Sequence, residues 1–319
     1  MKKMLVIMNP YAGMKQANKY LAGILDLFCA SGYDVNIAMT QQAGDGTRLA
    51  KERAANNDMI VAIGGDGTFN EVVSGVMASG HSVPIGYVPA GTTNDFASSV
   101  GLDKTVLGAA QSVVSGEKRH FDVGSFNGRH FSYVASFGAF TSTSYEVPQD
   151  LKNAIGGAAY ILSGIKDVMN IKPLHLRVKA ENIDLEGDYI FGAICNSTSM
   201  GGIINLKSDD VDMNDGLFEV MLIKSPQNII DLNSIIFALT TQSYSECEQI
   251  SFFSSGKIEI EAPPTMPWTL DGEYQEGEGH IVIENIYDAI ELMVPAEEEE
   301  APEQEKTGGY DFASGPLLP

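Results

Sequence analysis

Basic residues are scarce in this chain: 20 Lys and Arg stand against 42 Asp and Glu, a formal charge of -22 over 319 residues. Generic binding to nucleic acid proceeds by neutralising phosphates, so no nucleic-acid partner is expected. Cysteine is nearly absent. Cys29, Cys195 and Cys247 are far apart and in no CxxC spacing, which excludes a disulfide framework and a thiolate metal cluster and reads as reduced thiols. The 5 histidines form no HExxH and no pair at metal-binding spacing. Long apolar runs are missing too. The opening run at 4–8 is too short for a secretory leader, and no uncharged apolar stretch of ~18 residues follows, so a cytoplasmic protein without a membrane span is expected.

What is present is an ordinary globular composition, 44% hydrophobic and 19% charged, in a chain long enough for two domains. Apolar strand-like runs at 4–8, 33–39, 59–63 and 84–88 alternate with helical patterns near 14–31, 45–56, 68–79 and 92–99. That alternation implies right-handed parallel crossovers and an open α/β sheet, with ligands at the carboxyl ends of its strands. Beyond Phe121 the pattern changes to short strands, at 122–126, 189–195, 217–223, 257–261 and 280–284. Turn signals at Asn127-Gly128, Glu186-Gly187 and Asp215-Gly216 punctuate them, and helical stretches are expected at 150–170 and 227–241. The expected organisation is an α/β domain over 1–120, a mostly β domain over 121–286, and an acidic flexible tail over 296–319. The boundary falls within 116–122, and 287–295 is open as a segment completing the first domain.

The strongest chemical signal is Ile63-Gly64-Gly65-Asp66-Gly67-Thr68-Phe69-Asn70-Glu71, an apolar strand running into glycines that open a helix. Glycines let backbone approach a phosphate, and a helix amino end offers unpaired N–H groups and a favourable dipole. A Walker A loop would end in Gly-Lys-Ser/Thr, and no lysine is here. A dinucleotide fingerprint would place glycine where Asn70 stands. Thr68 and Glu71 have the spacing of a capping box, as do Thr92 and Asp95, whose plain reading is helix initiation.

Gly64-Gly65-Asp66-Gly67-Thr68 resembles the nucleotide loop shared by diacylglycerol, sphingosine and NAD kinases and phosphofructokinases. Gly91-Thr92-Thr93-Asn94-Asp95-Phe96-Ala97 narrows the likeness to lipid kinases, and Phe121-Asp122-Val123-Gly124 and Leu270-Asp271-Gly272-Glu273 match the bacterial diacylglycerol kinase pattern. The resemblance implies an N-terminal parallel-sheet three-layer domain like that of NAD kinase and a β-sandwich second domain. It also implies a kinase moving the γ-phosphoryl group of ATP to a lipid hydroxyl, with diacylglycerol becoming phosphatidic acid. Other acceptors stay open: a sphingoid base, phosphatidylglycerol or a polyol. So does a silent nucleotide-binding regulator.

By that resemblance Asn9, Gly13, Thr40, Gly64, Gly65, Asp66, Gly67, Thr68, Asn70 and Thr92 contact ATP, while Asp95 and Asp122 organise substrate or phosphate. Glu273 is the expected general base and Asp271 an assisting carboxylate, with Asp66 or Asp271 as rivals for the base. Asp271-Gly272 also reads as a plain hairpin turn. Acidic side chains cannot neutralise a triphosphate themselves, so this set implies Mg2+. The run 208–217 nearly fits an EF-hand, yet Asp215 and Met221 stand where glycine and glutamate are required. The resemblance instead implies a structural Mg2+ held by Asp215 and the carbonyls of Asp212 and Leu217, against a plain acidic turn. Expected partners are ATP, a lipid substrate reached peripherally at the inner face of a membrane, and a second copy in a homodimer. Trp268, Phe137 and Phe140 are candidates for a lipid cleft, with core packing the default for isolated aromatics.

Overall fold

Strand β1 (Lys2–Met8) carries two apolar faces: Met4, Val6 and Met8 enter one core cluster, Leu5 and Ile7 another, and none of the five is solvent-exposed. A strand buried on both sides needs helices on both sides, which is the condition for a parallel sheet. The computed structural model describes residues 1–92, 94–138, 171–200, 204–206 and 211–296. In it, β2 (Tyr33–Met39), β1, β3 (Met59–Gly64) and β4 (Ile85–Pro89) lie in that order, all parallel, with Met4 opposite Val35 on one side and Met59 on the other.

The helices are α1 (Gln16–Ala30), α2 (Asp45–Arg53), α3 (Asp66–Ser79), α4 (Asp95–Ser99) and α5 (Val106–Ser115). Ile24 and Phe28 of α1 and Ala109 and Val113 of α5 cover the Met4 face, while Leu49 and Ala50 of α2 and Phe69, Val72 and Val73 of α3 cover the Leu5 face. The helix expected at 92–99 is only the five-residue α4, because Asn94 stands in the left-handed region at φ 53 and breaks the run before it. The sequence reading omitted α5, whose Thr105 hydroxyl accepts the Gly108 N–H at its amino end.

The second half begins with β5 (Glu117–Phe126), β6 (Arg129–Phe131), β7 (Val134–Gly138), β8 (Leu174–Ala180) and β9 (Ile183–Cys195). A small pair, β10 (Ser199–Met200) and β11 (Ile204–Asn205), precedes β12 (Phe218–Lys224) and α6 (Ile229–Thr241). Last come β13 (Ile250–Ser255), β14 (Lys257–Glu261), β15 (Trp268–Leu270), β16 (Glu273–Gln275) and β17 (His280–Val294). The strands run in the order β16-β15-β7-β9-β8-β14-β17, each pair antiparallel. Phe126, Phe137 and Trp268 pack edge to face at the centre of their core, with ring centroids 5.1 and 4.9 Å apart, so Trp268 and Phe137 are core residues. Phe140, the stretch 150–170 and the tail beyond 296 lie outside the described residues.

Glu186-Gly187, read as a turn, sits inside β9 opposite Arg177 and Leu176. The chain reverses earlier, at residues 181–182, because the strand already alternates half-buried and exposed residues over 183–188. Strand β17 is also longer than the expected 280–284. Its first half pairs with β14 and its Leu292 lies beside Ile85 of β4, so one strand belongs to both halves of the molecule. Among the described residues no helix is long and apolar enough to cross a membrane.

Strand β5 follows β17 antiparallel, with a register shift between Ile286 and Ile290 where Asp288 adopts φ 55. Asp122 holds this bulge. Its Oδ1 accepts the Asp288 N–H at 2.8 Å and its Oδ2 the Gly216 N–H at 2.7 Å, and it is 1% exposed. Asp122→Ala leaves two part-buried donors without their acceptor and is expected to cost roughly 2 kcal/mol, read as a lower urea midpoint at unchanged m-value. An unchanged midpoint with reduced turnover would return Asp122 to the phosphate-organising role.

Candidate active site

The glycine turn after β3 delivers the chain into α3 with Gly65 as N-cap and no side chain capping the first turn. The expected Thr68–Glu71 box does not form, because Glu71 is drawn to another helix end. Its Oε1 accepts the Gly44 N–H at 2.7 Å and its Oε2 the Gly46 N–H at 2.8 Å. Glu71 therefore satisfies the start of α2 and leaves the opening of α3 uncapped by side chains, as an anion site requires.

A cavity of about 460 Å³ opens over this turn. It is lined by Asn9, Gly13, Thr40, Gly65, Gly67, Thr68 and Thr92, with Glu71 and, from the other half of the chain, Glu273. Asn9 Nδ2 donates to Thr68 Oγ1 at 3.4 Å while Asn9 Oδ1 accepts the Tyr11 N–H at 2.9 Å, so the first and third strand ends are tied together. Gly13 is required here. It has φ 50, and a Cβ on it would lie 1.9 Å from the carbonyl oxygen of Ala90. Gly64 and Asn70 do not line the cavity: the Gly64 carbonyl accepts the Ala90 N–H at 2.7 Å, and Asn70 turns away to donate to the His130 carbonyl at 3.3 Å.

Behind the turn lies a group of acids. Asp66 Oδ1 accepts from the Tyr87 hydroxyl at 3.2 Å, and its Oδ2 accepts the Asp95 N–H at 3.1 Å. Thus α4 is capped by Asp66, not by Thr92. Burial, and then the charge of Asp95, raise the Asp66 carboxyl to about 6. Tyr87 is fully buried and stacks on Phe69 at 4.6 Å, and burial pushes its hydroxyl well above its ordinary range, so it remains a donor.

Asp271, 5% exposed, is engaged by backbone. Its carboxylate accepts the N–H groups of Ser132, Tyr133 and Val134 at 2.6, 3.0 and 3.1 Å. These bonds favour the ionised form, yet burial outweighs them and lifts the carboxyl to about 7, with the charge of Asp66 adding to it. Asp271 and Gly272 have φ 51 and 81, the signature of a type I′ turn between β15 and β16. The plain hairpin reading holds, and the residue after the turn is Glu273. A Cβ on Gly67 would lie 2.7 Å from Glu273 Oε1, so glycine is what lets this carboxylate rest on the first turn of α3.

The remaining sequence candidates gather elsewhere. Asp122 has Asp215 as its charged neighbour, beside a larger cleft of about 920 Å³ whose lining includes Asp212, Asp215 and Asp288. Asp212 Oδ1 accepts the Asn214 N–H, Asp215 Oδ1 the Leu217 N–H, and the Leu217 carbonyl accepts Asn285 Nδ2. Among the described residues no group of three or more His, Cys, Asp or Glu is placed to hold a metal. Sequence reasoning missed Tyr87 and Arg129. The latter donates from Nη2 to Glu273 Oε2 at 3.1 Å across 144 residues of chain, a pairing that no local spacing announces.

Residues 3–126 match the diacylglycerol kinase catalytic domain and residues 135–294 the YegS C-terminal NAD kinase beta sandwich-like domain. The chain is 33% identical to the diacylglycerol kinase of Bacillus subtilis (strain 168), over 94% of this chain and 99% of that protein. It is 29% identical to the diacylglycerol kinase of Staphylococcus aureus (strain bovine RF122 / ET3-1), over 86% of each. A crystal structure of a diacylglycerol kinase from Bacillus anthracis str. Sterne is similar with a TM-score of 0.71 at 22% identity, covering 92% of this chain and 97% of that one, a likeness of fold.

Raised carboxyl pKa values make stability depend on pH with a definite sign. An Asp that titrates near 3.8 when unfolded and at about 6 when folded binds its proton more tightly in the native state. Its contribution is fully present below pH ~4 and lost as pH rises through ~6. Asp66→Asn is therefore expected to gain stability relative to wild type between pH 5 and pH 8, by roughly 1.4 kcal/mol in metal-free urea titrations, the rest of the effect developing below pH 5. A difference that does not change with pH would mean Asp66 is ionised throughout.

Proposed function

The chain belongs to the diacylglycerol kinase family, and from that premise we propose that it transfers the γ-phosphoryl group of ATP to the free hydroxyl of diacylglycerol, giving phosphatidic acid. It is an ATP-dependent lipid kinase. The observation that carries the finer reading is the Glu273 carboxylate resting on Gly67, at the rim of a cavity floored by the glycine turn.

In this reading the phosphates lie on the uncapped opening of α3, where N–H groups of 65–68 and the helix dipole favour negative charge. Asn9, Gly13, Thr40 and Thr92 form the walls of the same cavity and position the nucleotide. The acceptor hydroxyl approaches in line: its oxygen bonds to the γ-phosphorus, the bond to the β–γ bridging oxygen breaks, and its proton passes to Glu273. Asp271 orients this base through the turn it stabilises.

The donor set suits Mg2+. Asp66 and Asp95 are hard oxygen ligands whose charges already act on each other, and the Asp66 carboxylate, which accepts from the Tyr87 hydroxyl and the N–H groups of Asp95 and Phe96, has acceptor capacity for a fourth partner. Those two residues would hold the ion, which when bound neutralises charge on the phosphates. The turn at 212–217 offers a second hard set, the Asp215 carboxylate with the carbonyls of Asp212 and Leu217, in a structural role next to Asp122. A diacylglycerol acceptor resides in a bilayer, so the enzyme works peripherally at the inner face of the membrane.

Glu273→Gln keeps the shape of the base and removes its proton affinity. Turnover of ATP with diacylglycerol in mixed micelles is expected to fall ~10²-fold or more with ATP affinity retained. Near-normal turnover would remove Glu273 from the base role. Radiolabelled ATP offered with diacylglycerol, a sphingoid base, phosphatidylglycerol and glycerol is expected to label the first most rapidly, and preference for another acceptor would overturn the substrate assignment.

A further inference from the structure

Arg129 and Glu273 occupy equivalent places on two facing hairpins. Asn127 and Gly128, at φ 46 and 88, form a tight turn between β5 and β6, as Asp271 and Gly272 do between β15 and β16. Arg129 is the first residue after one turn and Glu273 the first after the other. From this geometry we propose that Arg129 is a positioning residue that holds the Glu273 carboxylate over the first turn of α3, an inference that rests on the base role given to Glu273 above.

Three contacts carry it. Arg129 Nη2 donates to Glu273 Oε2 at 3.1 Å, while Nη1 donates to Gln275 Oε1 at 2.8 Å and to the Tyr274 carbonyl at 3.3 Å. One guanidinium therefore grips all three residues of β16, a short strand whose ladder lies on β15 alone. A planar fork can satisfy several acceptors at once in a way a lysine ammonium cannot. The support behind Arg129 is rigid. Asn127 Oδ1 accepts the Val282 N–H at 2.8 Å, its own N–H donates to the Val282 carbonyl at 2.9 Å, and its Nδ2 donates to the His280 carbonyl at 3.3 Å. The turn before Arg129 is thus stitched to β17, the strand shared by both halves of the molecule.

On the opposite side Glu273 meets Gly67, so the carboxylate lies between a cationic clamp and the phosphate turn. A carboxylate 57% exposed at the end of a three-residue strand would otherwise sample many rotamers. Misplacing a base by about an ångström is enough to lose most of its effect. Exposed ion pairs contribute little to stability, so the role assigned to this one is geometric.

The test is a double-mutant cycle of Arg129→Gln and Glu273→Gln, with Arg129→Lys as the conservative variant, assayed in the full chain with ATP and diacylglycerol micelles. Arg129→Gln is expected to lower kcat ~10- to 10²-fold with the KM for ATP within about twofold. Arg129→Lys is expected to recover part of that loss, and in the Glu273→Gln background Arg129→Gln should add nothing further. Unchanged kcat, a loss appearing in KM, or full multiplication of the two effects would overturn the proposal, the last two assigning Arg129 to phosphate binding. If Glu273→Gln alone retains turnover, the base assignment fails by itself. Amide exchange at residues 273–275 then decides whether Arg129 holds the strand: faster exchange in Arg129→Gln supports it, and unchanged exchange rejects it.

Discussion

Three backbone N–H groups converge on one buried carboxylate, that of Asp271, and the geometry of the cavity depends on this contact. Its oxygens satisfy Ser132, Tyr133 and Val134 where the chain leaves β6 and enters β7, and the Asp271 N–H returns a bond to the Val134 carbonyl at 2.9 Å. Hydrogen bonds to an ionised acceptor are each worth roughly 1.5–3 kcal/mol, so the exchange fixes two turns against each other. Replacing the acid would leave three buried donors unpaired, a larger loss than that of any single bond. The type I′ turn at Asp271-Gly272 then leaves little freedom in where β16 starts, and hence in where Glu273 stands.

That local constraint reaches the glycine turn after β3 only because the two halves share a framework. Strand β17 pairs with β14 in the antiparallel half and lies beside β4 in the parallel half, and β5 runs along it with Asp122 filling the bulge. A linker would let the halves rock. A continuous strand with a polar plug makes their relative placement a property of the sheet. The chain from Gly67 to Glu273 is long, yet the path through hydrogen bonds is short: Glu273 to Arg129, Asn127 to Val282, and β17 to β4.

Much of the fold was legible because its signals are local. Buried parallel strands read as continuous apolar runs, as in β1 and β3, while the edge strand β2 reads as an apolar–polar alternation, and all three contain or equal the runs read from sequence. The glycine turn was legible in the same way, as an apolar strand running into glycines that open α3. Side-chain partners were harder, since a side chain is free to choose a distant group. Glu71 has capping spacing to Thr68 but serves Gly44 and Gly46, and Thr92 has it to Asp95 while Asp66 caps that helix. Asp122 carries a motif yet spends both oxygens on backbone N–H groups. For α5 the signal was present, with Val106, Ala109, Ala110 and Val113 buried at helical spacing behind a capping threonine. Its small residues make a faint amphipathic stripe.

The charge of the molecule poses a problem that the site answers locally. A body of net charge -22 repels a triphosphate at long range, but screening confines that repulsion to about 8–10 Å at physiological salt. In the proposed reading the nucleotide there meets the N–H groups and dipole of α3, with Glu71 and Glu273 at the cavity wall and Asp66 and Asp95 behind the turn. The carboxyls behind the turn are raised by burial, Asp66 to about 6 with the charge of Asp95 adding and Asp271 to about 7 with that of Asp66 adding, so their ionisation is costly. The same burial that makes ionisation costly would favour a divalent cation at the proposed pair Asp66 and Asp95, because a cation removes both the desolvation penalty and the mutual repulsion. Acidic side chains are thus compatible with the proposed reaction: in it they answer the counter-ion that a nucleotide brings, while the backbone receives the phosphates.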